Sequence, residues 1–395
     1  LIEVLVTAYL FTSEITMFAD INANRIRRSA ATVALQLVIG MCAAITIPSL
    51  AQVVQSGFLQ TAVQSDHRPI ALFVTGRNIA QPLALVGQGK SSTGAMLDVD
   101  TPVRVASNTK TFVAATVLRL WEEKRIDLDA AIGPLLTPAI DQLLQSGGYD
   151  TARITVRQLL SHSAGMYDHA ADNRYFGLIL SQPERRWTRE DLVRLAMTWG
   201  RPLSATGTAF HYSDTGYILI GDIIERITGQ SLGKAVREQL QLDRYQLRST
   251  WWEIMEEQPN TAAPRARQFV GDFEASKLDA SIDLYGGGGL VMSTRDLANL
   301  TAALFEGKLF KHPETLKEML WRGTHKGAET YRLGVFVKTV NGQDYYWHSG
   351  YWGTVAYYAP ATGIAVAGAS DNQDAYRRLV RMAELAVGVV VSPNK

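Results

Sequence analysis

Hydrophobic positions change their period along this chain, and the changes divide it. Residues 69–76 and 82–87 are near-continuous apolar runs bounded by proline and glycine, which predicts two strands of a hairpin. Residues 103–106 predict a short strand. Val113, Val117, Leu120 and Trp121 then fall at helical spacing, predicting a helix from Asn108 to about Lys124. From about Ala131 to Asp279 the pattern is helical throughout. Thr155 reads as the N-cap of a helix over 156–162 that stops by Gly165. Thr188 with Asp191 forms a capping box for a helix that ends at Trp199, before Gly200. Residues 214–228 carry a wide apolar face of Tyr217, Leu219, Ile220, Ile223, Ile224 and Ile227, stopped by Gly229, and Ser231 caps a helix to about Leu240. After the run Gly286 to Gly289 the strands return. Residues 290–292 form a short one, and Ser293 with Asp296 opens a helix to Phe305. Residues 331–340 and 344–348 predict a hairpin on the type I′ turn that Asn341-Gly342 favours. Residues 354–358 and 364–369 predict a second hairpin, and a helix over about 373–387 follows. Strands at both ends with helices between argue for an α/β domain built from residues 69–130 and 280–395, with a lead-in at 52–68 and an inserted helical domain at 131–279.

The first fifty residues have a different pattern. Read from Met17, Arg25, Arg27 and Arg28 form a basic region, residues 30–47 form an apolar run, and Ser49-Leu50-Ala51 is a small-x-small site. This predicts a signal peptide within residues 1–51, cleaved near Ala51, and a periplasmic or secreted protein. An uncleaved membrane anchor is the alternative, since the apolar run is about long enough to span a bilayer.

Composition excludes some classes. The chain has 395 residues, 47% hydrophobic and 19% charged, with net charge +1, enough for one large or two medium domains and without the basic excess of a nucleic-acid binder. Cys42 is the one cysteine, so no intramolecular disulfide forms. The seven histidines include no H-E-x-x-H and no close ligand pair, so neither a catalytic metal nor another cofactor is expected.

Three short segments carry candidate chemistry. Ser107 and Lys110 lie three apart at a helix start, on one face, where an amine can reach a hydroxyl. Alone, that pair is also what an ordinary helix N-terminus provides. Tyr212-Ser213-Asp214 precedes a helix, and His348-Ser349-Gly350 ends a strand. A cleft between the two domains would bring them together. Other features read as structural. Gly229-Gln-Ser231-Leu-Gly233 matches a nucleophile elbow, but a helix, not a strand, precedes it. Gly286 to Gly289 lacks the Gly-Lys-Ser/Thr of a phosphate loop. His162 reads as closing a helix near the site, and Trp251-Trp252 as core or cleft wall.

The ordered set resembles the serine β-lactamase-related family: class C β-lactamases, low-molecular-weight DD-peptidases and related esterases, with their S-x-x-K, Y-x-N and K-T-G or H-T-G motifs. The text flanking the motifs agrees, at residues 154–165, 287–294 and 347–350, and the resemblance runs from about Ile70 to the C-terminus. It implies an α/β fold of the β-lactamase/transpeptidase type: an antiparallel sheet flanked by helices, an inserted all-helical domain and the active site between them. It implies Ser107 as nucleophile, Lys110 as base, Tyr212 as proton shuttle, and the backbone N–H groups of Ser107 and Tyr351 as oxyanion hole, with His348, Ser349 and Gly350 supporting the substrate. The implied function is an exported serine hydrolase of DD-carboxypeptidase or esterase type, acting on a small-molecule or peptide substrate such as a cell-wall peptide. A β-lactamase and a catalytically silent binding protein on the same fold are the alternatives. The H-x-G form of the third motif leans toward the carboxypeptidase and esterase side. His348 is then expected to bond Tyr212 or to meet a substrate carboxylate, with a charge that varies near neutral pH. Lys338 is a second candidate for that carboxylate. Asp214 departs from the asparagine common in the family. A carboxylate only accepts hydrogen bonds, and beside Lys110 it favours the ammonium. Either Tyr212 then carries more of the base role, or Asp214 points elsewhere.

Overall fold

Strand Ile70–Gly76 (β1) is buried on both faces, which is why its apolar run is unbroken. A computed structural model describes residues 57, 59–90 and 96–389; the signal-peptide pattern lies outside the described residues. Side chains alternate along β1. Ala71 and Phe73 face one hydrophobic cluster with Leu297, Leu300 and Leu304 of helix Thr294–Phe305, whereas Ile70, Leu72 and Val74 face another with Leu379, Met382 and Ala383 of helix Tyr376–Ala386. The sheet between these helices has six strands. Its others are Leu83–Val86 (β2), Phe336–Val340 (β8), Gln343–Gly350 (β9), Thr354–Ala359 (β10) and Ile364–Ser370 (β11), in the order β2-β1-β11-β10-β9-β8 with antiparallel pairing throughout. Early and late strands of the described residues thus pair at β1–β11, where Ile70 is opposite Ser370. Asn341 (φ +52°) and Gly342 (φ +75°) join β8 to β9 with the left-handed backbone that a type I′ turn requires.

A second sheet places the site. Val103–Arg104 (β3) and Trp251–Trp252 (β4) flank Leu290–Met292 (β7). With Phe269–Val270 (β5) and Phe273–Glu274 (β6), β4 corrects the expectation of unbroken helix from 131 to 279. A two-residue strand is too short for its period to show in sequence. The helices of the site are Thr109–Glu122 (α1), Pro138–Ser146 (α2), Val156–Leu160 (α3), Asn173–Ser181 (α4), Arg189–Trp199 (α5), Asp214–Thr228 (α6) and Leu232–Gln239 (α7). Capping boxes open α3 at Thr155/Gln158 and α5 at Thr188/Asp191. Helix α6 packs among α1, α3, α5 and α7 through its buried Leu219, Ile220 and Ile223, and it ends at Gly229 with φ +69°. No helix among the described residues is long and apolar enough to cross a membrane.

Candidate active site

The predicted strand over 103–106 stops at Arg104, and the predicted helix starts one residue late, at Thr109. Between them Val105 N donates to Leu290 O at 3.1 Å, and Ala106 takes φ +46°, a left-handed conformation that a non-glycine residue rarely adopts. A 3₁₀ turn over Ala106–Asn108 follows and presents Ser107. Asn108 Nδ2 pins this turn by donating to Val105 O at 3.0 Å and to Thr354 Oγ1 at 2.9 Å. A Cβ on Gly350 would lie 2.2 Å from Val105 O, so a glycine there lets the end of β9 approach the turn.

Lys110, one turn into the segment, is 0% exposed. Its Nζ donates to Ser107 Oγ at 2.9 Å and to Gly287 O at 2.5 Å. It also lies 2.5 Å from Asp214 Oδ1, an ion pair in which that oxygen has no well-aligned hydrogen bond. The glycine run thus has a function that its sequence hid: it brings a backbone carbonyl to a buried ammonium. Gly286 (φ +117°) and Gly289 (φ +128°) make the bend. Burial works against the charge on Lys110, but Asp214, with Tyr212 and Asp283 behind it, outweighs burial and raises its pKa above the ordinary lysine value. Burial likewise opposes the charge on Asp214, and Lys110 overrides it and holds the carboxyl below its usual range. Of the two readings left open for Asp214, the one in which it points elsewhere does not hold, since it faces Lys110.

Tyr212 lies with its hydroxyl against Lys110 and Ser107, and its ring centroid is 5.1 Å from Lys110 Nζ. Burial pushes its pKa up further than Lys110 pulls it down, so the phenol is protonated at neutral pH. The ring stacks on Phe336 and sits 4.3 Å from the His162 ring. His162 Nδ1 accepts from the backbone N–H of Ser213 at 3.2 Å, which fixes the residue after Tyr212.

His348, Ser349, Gly350 and Tyr351 line the same cleft as Ser107, Tyr212 and Asp214, which encloses about 460 Å³. Tyr351 is half exposed. Two expectations for this wall need correcting. His348 Nε2 pairs with Tyr331 Oη at 3.1 Å, not with Tyr212, whose ring centroid is 6.2 Å away. Its other nitrogen, Nδ1, accepts from Ser349 N–H at 2.9 Å. Burial first, and then the charge of Lys110, push its pKa down to about 3, so the ring is neutral at neutral pH and is no variable cation. Lys338 is away from the cleft, paired with Glu384 at 2.5 Å. Neither supplies a positive charge for a substrate carboxylate.

Three participants were missed from sequence. Tyr331 (1% exposed) is the partner of His348. Asp168 Oδ1 accepts from the N–H groups of Ala170 and Asp214, both at 3.1 Å, and so holds the first residue of α6. Asp283 packs against the glycine run, where a Cβ on Gly288 would meet its carboxylate at 2.3 Å. Asp168 follows the flanking text at 154–165 by only three residues, but a lone aspartate in a loop gives no spacing signal.

The family model described as Beta-lactamase matches residues 59–388. A putative fimbrial assembly protein FimD of Dichelobacter nodosus is 29% identical over 206 residues, 52% of this chain and 49% of that protein. Esterase EstB of Burkholderia gladioli is 32% identical over 167 residues, 38% of each chain. The chain spans about half the length of the first curated relatives it matches. Among solved structures, a D-stereospecific amidohydrolase from Streptomyces sp. superposes with TM-score 0.69 at 26% identity, covering 84% of this chain and 98% of that one.

Proposed function

This chain belongs to the Beta-lactamase family and is a serine hydrolase of that fold, and from that premise we propose that it cleaves esters and peptide-type amides by acyl transfer through Ser107, as esterases and carboxypeptidases of the fold do. The observation that carries this reading is the 2.9 Å contact between Lys110 Nζ and Ser107 Oγ inside an open cleft. The basic, apolar and small-x-small pattern over residues 25–51 supports export.

The geometry gives the steps an order. Lys110 rests as an ammonium, so it takes a proton only as it releases one, and the acceptor is Asp214 at 2.5 Å. As Ser107 Oγ forms its bond to the substrate carbonyl carbon, the serine proton passes to Lys110 and a lysine proton passes to Asp214. The backbone N–H groups of Ser107 and Tyr351 are the donors assigned to the oxyanion. When the bond from carbon to the leaving group breaks, Tyr212 Oη protonates that group and is resupplied from Lys110, which recovers its proton from Asp214. Water then attacks the ester and yields its proton along the same route, freeing Ser107. Asp214 is the terminal base in this scheme, and Tyr212, protonated at rest, is a conduit.

Quenching the protein during turnover of p-nitrophenyl acetate and weighing it intact should reveal one acetyl group that disappears when substrate is spent. Benzylpenicillin separates the neighbouring activities: a lasting adduct indicates a penicillin-sensitive peptidase, and an adduct that vanishes as the drug is consumed indicates a β-lactamase. Failure of both compounds to acylate the protein would contradict the hydrolase reading.

Asp214→Asn has a signed effect on pH dependence. The acidic limb of kcat/KM in the native protein reports protonation of Asp214, held below the ordinary carboxylate value of about 3.9. In the variant Lys110 loses that counter-ion and must itself deprotonate. Burial then pulls its pKa down from about 10.4, while Tyr212 and Asp283 still face it. The limb therefore moves upward by several pH units and activity at neutral pH falls. An unchanged limb would remove Asp214 from the proton route.

A further inference from the structure

The walls of the cleft differ in charge in a way the acyl-transfer reading does not use. Asp168, Asp214 and Asp283 all line it, and among its described lining residues there is no lysine or arginine. The nearest cation, Lys110, lies buried beneath, committed to Ser107, Gly287 O and Asp214. His348 is neutral and Lys338 is engaged elsewhere. Asp168 and Asp283 thus have no cationic side chain of their own in the cleft. Burial pushes both pKa values up, Asp168 to about 8 and Asp283 to about 7, and the Asp214 charge adds to this, so a substrate cation is what would draw both into the carboxylate form. A bound cation would relieve that repulsion. The wall beside them is apolar, made by Tyr175, Phe176 and Ile179 on one face of α4 together with Ile282. Ser107 opens into this same cleft, so it is a substrate site on grounds independent of the carboxylates.

We infer that the acyl donor carries a protonated amino group, seated between Asp168 and Asp283, next to an apolar side chain against α4, and that donors ending in a carboxylate are disfavoured. The inference rests on the acyl-transfer reading of Ser107. It makes Asp168 and Asp283 specificity residues: they select the substrate by charge while Ser107, Lys110 and Tyr212 act on it. The substrate class is an amide or ester of an apolar amino acid with a free amine. Its binding needs are opposite to those of a peptide recognised through its C-terminal carboxylate, since a carboxylate would enter a cleft lined by three aspartates and by no lysine or arginine.

The test compares phenylalanine p-nitroanilide, in both enantiomers, with its N-acetyl and N-succinyl derivatives, with p-nitrophenyl acetate as an uncharged reporter. The free amine should exceed the N-acetyl compound by about tenfold or more in kcat/KM, the factor that corresponds to about 1.4 kcal/mol. The N-succinyl compound, which adds a carboxylate, should be the poorest. In Asp283→Asn and Asp168→Asn the ratio of free to acetylated substrate, taken within each variant, should fall toward one. Asparagine keeps an oxygen for the two N–H groups that Asp168 accepts, and the substrate series on the native protein stands even if neither variant folds. Equal or better turnover of the N-acetyl or N-succinyl compound, with p-nitrophenyl acetate hydrolysed, would overturn the inference and leave the acyl-transfer reading intact. If the ester too were untouched, both would fall together.

Discussion

Ser107→Ala abolishes turnover of esters and amides, a loss of about 10⁴-fold or more in kcat, as when the nucleophile of a serine hydrolase is removed. Ser231→Ala retains the native rate. The contrast matters because Ser231 has the better-known sequence signature, the central serine of G-x-S-x-G. The structure gives that segment a different use. Helix α6 ends at Gly229 in the left-handed conformation, Ser231 is exposed ahead of α7, and a Cβ on Gly233 would lie 2.6 Å from the Trp252 side chain. These glycines serve a helix stop and a close packing contact. Ser107 instead has an amine at 2.9 Å, a strained residue before it and a cleft above it. Steady-state rates of the two variants on p-nitrophenyl acetate decide the matter.

Lys110→Met has the second large effect, on stability as well as rate. The native ammonium is the charge that compensates Asp214 directly and Asp283 at longer range. Removing one partner of a buried pair costs about 3–5 kcal/mol, because the other is left unpaired. The pH dependence should change sign. In the native protein Asp214 is held below its unfolded value, so its contribution is present above about pH 3.9 and is lost as pH falls through the lower folded value. Without Lys110, burial dominates and raises the Asp214 pKa above its unfolded value. The penalty then grows as pH rises from about 4, and the variant is more stable at pH 5 than at pH 8, relative to the native protein. Adding Asp214→Asn to Lys110→Met should recover much of the stability and none of the activity. Denaturant unfolding of the two variants at both pH values checks this, and equal losses at pH 5 and pH 8 would contradict the charge argument.

Much of this was legible in the sequence where a signal repeats or is chemically distinctive. The face of α6, the Thr188 capping box and the Asn341-Gly342 turn are each spelled out by several residues in register. Ser107, Lys110 and Asp214 were found because their order along the chain is shared with a family, and the ammonium-favouring effect of Asp214 followed from the chemistry of a carboxylate. What was not legible depends on distant segments converging. Tyr331 meets His348 from the segment before β8, where it bridges Phe336, Gly287 meets Lys110 only through the bend of its glycine run, and Asp168 reaches the cleft from a loop and Asp283 from a 3₁₀ turn over Ala280–Asp283. The expected charge of His348 failed for a related reason: its sequence neighbours say nothing of the burial that holds it neutral.

The central claim is that Ser107 becomes covalently acylated, and an active-site phosphonate ester tests it most directly. The protein is incubated with a fluorophosphonate, weighed intact and digested for mapping. The account predicts one adduct per chain, on the peptide that contains Ser107, absent in Ser107→Ala and unaffected in Ser231→Ala. Labelling that survives Ser107→Ala, or that maps to Ser231, would contradict it.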